Sequence, residues 1–166
     1  MTFLARIKRP SCLILLLCIL LTLIFIFGNS LASKEASGAA SDKVNDIVSD
    51  VIENITGKEE TALENFFVTY SRKLAHVLEF FLLGSEICLL IFFMRSSGTV
   101  PYLLGASLSF VFASFDEGIQ MLSGRGDLVS DIFIDTCGYL IAYLLCILSL
   151  SIFCRHRKRK HTQKAT

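Results

Sequence analysis

The sequence predicts an all-α membrane protein with four transmembrane helices, both termini in the cytoplasm, and an extracytoplasmic amphipathic helical segment between helices one and two. Three observations predict this fold. Of the 166 residues, 53% are hydrophobic and the mean hydropathy is +0.61, which is too apolar for an ordinary soluble domain. Long apolar runs have the length of membrane helices. Most of the lysines and arginines that flank these runs fall on one side of the membrane if the number of spans is even, and such an excess is typical of the cytoplasmic side.

Each apolar run is close to the ~20 residues that a helix needs to cross ~30 Å of hydrocarbon. A cytoplasmic N-terminus, residues 1–10, precedes a first span over residues 11–29 that is free of ionisable side chains. The other spans are predicted over residues 74–94, 101–122 and 131–154, and each of them retains ionisable residues.

A cleaved signal peptide is the alternative for the first span, because Ser30, Leu31 and Ala32 resemble a small-x-small cleavage site. The apolar core, residues 12–27, is longer than the ~7–15 residues usual for a signal peptide. We therefore predict an uncleaved anchor. Cleavage would remove one helix and leave the other spans in place.

The flanking charges set the orientation. Basic residues occur in the N-terminal tail, in the loop between spans two and three at Arg95, and in the C-terminal tail, residues 155–166. An even number of spans places all three on the cytoplasmic side. The segment 30–71 then lies outside, and it carries eight acidic residues. Arg72 and Lys73 are exceptions, since they lie at an outer boundary.

The outer segment is predicted to be helical. Apolar residues recur at helical spacing between acidic ones, and Thr61-x-x-Glu64 fits a capping box before a second apolar pattern. These helices either cover the outer ends of the spans, which we favour, or form a lid over a site. The apolar positions are Val44, Ile47, Val48, Val51, Ile52 and Ile55, followed by Leu63, Phe66, Phe67 and Tyr70.

The sequence argues against a nucleic-acid-binding protein and against a fold held by disulfides. Only the C-terminal tail is strongly basic, so we expect no nucleic-acid partner. The six cysteines lie in or at the end of apolar runs and include no C-x-x-C pair. We interpret them as small packing residues rather than a disulfide framework.

Spans two, three and four place their ionisable residues at one depth. Span two enters the membrane from the outside, span three returns to the outside, and span four enters again from there. The polar side chains of all three spans therefore lie in the turns nearest the outer surface. The side chains are His76, Glu79, Asp116, Glu117, Gln120, Arg125, Asp131 and Asp135. An ionised Asp at mid-helix costs ~2.5–3.5 kcal/mol even on a lenient scale, and clustering offsets that cost. This pattern favours an outward-opening polar pocket; the alternative is a polar network that locks the helices together.

Several of these residues resemble the pattern of the VanZ-like family of bacterial membrane proteins. The matching stretches are RKLAHVLEFFLLG, DEGIQMLSGR, then Asp131 and DTCG, and they cover residues 72–138 of a predicted core, residues 72–154. Two positions depart from the family pattern. Asp135 stands where Asn is usual, and Ser123 stands where Pro is common, which we expect to affect only the loop turn.

The resemblance implies a multi-pass protein of the bacterial cell membrane and envelope, in a family associated with resistance to the glycopeptide teicoplanin. Membrane lipids are expected partners, with a cell-wall precursor or lipoglycopeptide as a candidate ligand. The resemblance does not identify a reaction, a cofactor or an oligomeric state. Binding without chemistry, a structural role and, as the weakest alternative, a small oligomeric transporter remain open beside an enzyme.

For an enzyme, His76 is the candidate general acid or base, with Glu79 and Glu117 as catalytic partners. Arg125 would hold a phosphate or carboxylate of a lipid-linked substrate. The other candidate ligand-binding residues are Asp116, Gln120, Asp131 and Asp135. His76 with Glu79, Glu117 and Asp131 has ligand types for a divalent metal, but His-x-x-Glu is a weak signal and we predict no metal site.

The sharpest geometric prediction is one connected cluster of His76, Glu79, Glu117, Arg125 and Asp131. Asp116 and Asp135 are expected at its edge. Arg125 is expected to pair with Asp131 or Glu117, which would lower the cost of placing acids in the membrane.

Overall fold

Helices account for nearly all of the chain that can be described. The computed structural model describes Ile7 and residues 9–32, 34–56, 62–95, 98–124 and 129–163. The helices are α1 (Pro10–Leu31), α2 (Lys34–Thr56), α3 (Ala62–Phe93), α4 (Val100–Leu122) and α5 (Val129–Gln163). These described ranges include no strand, and the all-α prediction is confirmed.

Among the described residues, three segments are long and apolar enough to cross a membrane: Pro10–Leu31, Lys73–Phe93 and Val129–His156. Helix α4 has 23 residues but is not among them. Asp116 and Glu117, near its C-terminal end, lower its hydropathy. The chain therefore has the helices of a membrane protein, while the fourth span and the orientation remain predictions.

Two helices run further than the sequence pattern predicts. Helix α3 joins the end of the predicted outer segment to span two without interruption from Ala62 to Phe93. Helix α5 continues beyond the predicted span into the basic tail and ends at Gln163. Neither junction contains proline or glycine, so the helical hydrogen bonds continue where the composition changes between polar and apolar.

Helix α3 is the central element, since it contacts each of the other four helices and packs most extensively against α5. Within the described residues a buried core joins α1, α3, α4 and α5, with Phe80 and Tyr139 among its largest fully buried side chains. The other faces of α1 carry exposed leucines and isoleucines, which suits a helix surrounded by lipid. The buried face of α1 has residues spaced three to seven apart: Cys12, Ile19, Thr22, Ile26 and Ser30.

Two glycines allow the close approach of α3 and α5. A Cβ at Gly84 would collide with the backbone carbonyl of Tyr139, and a Cβ at Gly138 would lie 2.8 Å from the carbonyl oxygen of Val77. Small residues at helix crossings serve this purpose in membrane proteins, because they let two backbones approach.

Two tyrosines fix α4 against α5 in antiparallel register. The hydroxyl of Tyr139 donates to the carbonyl of Gly105, and that of Tyr143 donates to the carbonyl of Tyr102, each at 2.8 Å. This register places the end of α4 beside the beginning of α5. The polar residues of both helices therefore come to the same end of the bundle.

The amphipathic segment after α1 forms the helix α2, which packs on α3. Ile52 is buried, whereas Val44, Ile47, Val51 and Ile55 are exposed. The apolar stripe is thus only partly packed within the described chain. All six cysteines carry free thiols; Cys12 and Cys88 are buried, as expected of packing residues, whereas Cys137 is exposed.

Candidate functional site

Four helices contribute to one group of polar side chains, which we call the polar cluster. Its members are Asn29 and Ser30 of α1, His76 and Glu79 of α3, Asp116, Glu117 and Gln120 of α4, and Asp135 of α5. The cluster lies where α1 and α4 end and where α5 begins. Its residues are brought together by the packing of α3 against α1, α4 and α5.

Asp116 lies at the centre of the cluster and has no exposed surface. The hydroxyl of Ser30 donates to Oδ1 at 2.6 Å, and the amide of Gln120 donates to Oδ2 at 2.7 Å. Both carboxylate oxygens thus accept a hydrogen bond, one from another helix and one from the next turn of α4. This arrangement fixes the orientation of the carboxylate.

His76 and Glu79 face the cluster from α3. They are three residues apart and share a helix face, so Nδ1 of His76 lies 3.5 Å from Oε2 of Glu79. The same nitrogen lies 3.9 Å from Oδ2 of Asp116. Asn29 donates to the other oxygen of Glu79, Oε1, at 3.0 Å. The imidazole therefore lies between carboxylates of two helices.

Glu117 and Asp135 add two further buried carboxyl groups. Glu117 is 3% exposed and lies 3.4 Å from the amide of Gln120. Asp135 is 2% exposed, and its buried Oδ2 atom has no hydrogen-bond partner among the described residues. His76, Asp116 and Asp135 each offer a ligand atom, and these atoms lie within 4.8 Å of one another.

Three residues in the predicted arrangement need correction. Asp116 and Asp135 are buried at the centre of the cluster rather than at its edge, because α4 and α5 turn these residues toward α3. Asp131 lies at the rim instead. It pairs with Lys73 at 3.1 Å, and the side chain of Asp131 is 30% exposed and that of Lys73 48% exposed. Asp131 precedes Asp135 by one turn and so lies nearer to the beginning of α5.

The predicted pairing of Arg125 with Asp131 or Glu117 lies outside the described residues, because Arg125 does. Lys73, which is an exception to the pattern of cytoplasmic basic flanks, is a cation that the described chain places at this rim. Its ammonium group therefore pairs with a carboxylate of another helix, which the count of flanking charges alone does not reveal.

The contribution of α1 is absent from the sequence-based predictions. Asn29 and Ser30 end the first apolar run with two polar side chains, at the same depth as those of the other spans. That coincidence is the signal that sequence reasoning could have used. Ser30 is predicted to belong to the outer segment, whereas α1 continues to Leu31.

Ser123 also does more than shape a loop turn, contrary to expectation. Its hydroxyl lies 2.9 Å from the carbonyl of Ser30 and 2.9 Å from the carbonyl of Gln120, and can donate to either. A proline at this position has no hydroxyl and would make neither bond. The departure from the family pattern therefore ties the end of α4 to the end of α1.

A separate cavity lies at the opposite end of α4 and α5, where α3 also ends. It has a volume of about 600 Å³ and an almost entirely apolar lining. With this composition the cavity suits an apolar chain rather than a polar ligand, and none of its lining residues belongs to the polar cluster. The lining residues include Phe92, Tyr102, Leu103, Tyr143, Ile147 and Cys154.

Charge distinguishes the cluster from an ordinary helix interface. Within the described chain it combines four carboxyl groups, those of Glu79, Asp116, Glu117 and Asp135, with the single imidazole of His76. Carboxylates buried this closely need protons, cations or donors to compensate them.

Another buried acid, Glu86, lies outside the cluster and deeper along α3. It accepts a hydrogen bond from the hydroxyl of Thr22 at 3.1 Å. This contact joins α3 to α1 two turns away from the cluster, so a buried carboxyl group in this fold can also link two helices outside the polar cluster.

The fold and the cluster define a helical membrane protein with an acidic polar site enclosed between its helices. The VanZ/LLP1 family model matches residues 12–151, which is most of the chain, and the chain belongs to that family. No curated protein and no solved structure gave a significant match.

Proposed function

We propose that the chain is a four-span protein of the bacterial cell membrane whose polar cluster binds a lipid-linked or cell-wall component at the outer leaflet. The observation that supports this proposal is the convergence of partly buried ionisable side chains from α3 with buried ones from α4 and α5 at one end of the helices. Such residues are costly within a membrane, and they usually mark a substrate or ion site.

The distribution of basic residues predicts which side of the membrane the polar cluster faces. If the basic tails are cytoplasmic, the end that carries Asp116 and Asp135 faces the outer leaflet, where lipid-linked cell-wall components are exposed. His76, beside Glu79, would supply proton transfer if the bound component is modified. The resemblance to teicoplanin-associated proteins makes a lipoglycopeptide the second ligand to test.

The test measures binding by purified protein in lipid nanodiscs. The probes are a polyprenyl-pyrophosphate-linked peptidoglycan precursor and teicoplanin. We expect wild-type protein to bind at least one probe, and His76→Gln and Glu117→Gln to weaken that binding by about tenfold or more, the effect of losing one charge-assisted contact.

Glu86→Gln is the matched control, because it alters a buried carboxylate of α3 outside the cluster and can keep a hydrogen bond to Thr22. Equal binding by all four proteins, or by none, would contradict the proposal. A variant that binds a probe normally but no longer converts it would show that the cluster performs chemistry.

A helix-packing lock is the second candidate, and the hydrogen bonds that Asp116 accepts favour it. They connect Ser30 of α1 to Asp116 and Gln120 of α4. A lock predicts that Glu117→Gln and His76→Gln lower the melting temperature without changing the affinity for either probe.

A further inference from the structure

We propose that His76, Asp116 and Asp135 form a binding site for one divalent transition-metal ion, Mn²⁺ or Zn²⁺. This inference goes beyond the proposed binding of a cell-wall component and does not depend on it. The three residues lie on three different helices, α3, α4 and α5, so the site exists only when the helices are packed.

The separations of the ligand atoms fit a shared ion. Each residue offers one atom, and all three atoms lie within 4.8 Å of one another. Bonds of ~2.1 Å to one ion allow two ligands to be at most ~4.2 Å apart. The 3.9 Å between Nδ1 of His76 and Oδ2 of Asp116 already meets that limit. The 4.8 Å bound on the other separations exceeds that limit by at most 0.6 Å, so binding would require the side chains to draw closer together.

Asp135 supplies an independent observation that points to a ligand. Its side chain is 2% exposed, and its Oδ2 atom is buried without a hydrogen-bond partner among the described residues. Nearly all buried polar atoms of native proteins have a partner, and a buried carboxylate oxygen without one is costly. A cation bound between Asp135, Asp116 and His76 would satisfy this oxygen.

The residues around Asp116 orient it as the neighbours of a metal ligand do. Ser30 donates to one oxygen of Asp116 and Gln120 donates to the other, at 2.6 and 2.7 Å. Each carboxylate oxygen retains a lone pair for a metal. Hydrogen bonds of this kind fix ligating carboxylates in metalloproteins.

The ligand types select the metal. Imidazole nitrogen suits zinc and other transition metals, whereas carboxylates also suit manganese, and Mg²⁺ and Ca²⁺ prefer oxygen alone. Three protein ligands leave at least one position for water or for an oxygen of a bound molecule. Glu79, whose Oε2 lies 3.5 Å from Nδ1 of His76, is close enough to hold a water or ligand at that position.

The experiment measures metal binding directly. Purified full-length protein is treated with chelator and titrated with Mn²⁺ or Zn²⁺ by calorimetry, with Mg²⁺ as the comparison. We expect about one Mn²⁺ or Zn²⁺ per chain and at least about tenfold weaker binding of Mg²⁺. Asp135→Asn and His76→Gln should each weaken Mn²⁺ binding by about tenfold or more.

Glu86→Gln is the matched control, because it removes a buried carboxylate of α3 outside the polar cluster and can keep a hydrogen bond to Thr22. It should bind Mn²⁺ as the wild type does. Pulsed electron paramagnetic resonance of Mn²⁺-loaded wild-type protein adds a readout that needs no variant, since it detects a coordinated imidazole nitrogen.

Absence of Mn²⁺ and Zn²⁺ binding by wild-type protein, equal binding by Asp135→Asn, or absence of nitrogen coupling would each overturn the inference. In that event a proton shared between Asp116 and Asp135 would account for the buried oxygen. Binding of the peptidoglycan precursor or teicoplanin without metal would leave the proposed function standing. Metal binding without either probe would leave only the metal site.

Discussion

The hydroxyl of Ser30 donates a 2.6 Å hydrogen bond to Oδ1 of Asp116, and neither side chain is exposed to solvent. The bond joins the last turn of α1 to α4 across 86 positions of sequence. It makes α1 part of the polar cluster rather than a separate anchor. Removal of α1 would leave the most deeply buried carboxylate without this donor.

Ser30→Ala should therefore lower the free energy of unfolding. The loss of a hydrogen bond to a buried carboxylate costs about 1–2 kcal/mol in a membrane protein. Thermal unfolding in detergent would measure the change. Ser107→Ala is the control, because that exposed hydroxyl donates to the carbonyl of Leu104 in its own helix. An equal effect of both substitutions would contradict the role assigned to Ser30.

Gly84→Ala should destabilise the protein by about 1–3 kcal/mol, the usual cost of overpacking. The new Cβ would meet the backbone of Tyr139, which cannot move without shifting α5. Gly118→Ala is the control, since a Cβ there has nothing within 4 Å and alanine favours a helix. Urea or thermal unfolding of both variants would test this; a stable Gly84→Ala protein would show that α3 and α5 can separate.

The ion pair of Lys73 and Asp131 should contribute little to stability. Both side chains are partly exposed, and such pairs contribute about 0.2–1 kcal/mol. A double-mutant cycle with Lys73→Met and Asp131→Asn would measure the coupling. We expect it to fall as the salt concentration rises. A coupling well above this range, insensitive to salt, would show that the pair is buried in the membrane-embedded protein.

Topology can be tested independently of the site. Reporter fusions at Lys43 and at Thr166 should report outside and inside, respectively, because the basic flanks are expected to be cytoplasmic. The described helices do not set this orientation. The opposite result would turn the polar cluster toward the cytoplasm and would remove the basis for an outer-leaflet ligand.

Helix content and the approach of the polar spans could be predicted because both follow from local periodicity. His76 and Glu79 share a helix face because they are three residues apart, and Asp116 and Gln120 share one because they are four residues apart. The positions of the apolar runs indicate the depth of each group. These regularities need no knowledge of which helices touch.

The centre of the cluster could not be predicted in the same way. Whether Asp135 or Asp131 is buried depends on how α5 rotates against α3, and Gly84 and Gly138 set that contact. The participation of Ser30 depends on where α1 docks. Rotation and docking arise from packing between distant segments, which a single sequence does not display directly.

The continuity of α3 gives the molecule a mechanical property. The helix has 32 residues, about 48 Å of rise, of which the part before Lys73 extends about 16 Å beyond the apolar span. Because the helix contains no proline, we expect a lateral push on that end to tilt the helix as a whole. His76 and Glu79 lie in the first two turns of the apolar span, so we expect a load applied to that end to change their distances from Asp116 and Asp135.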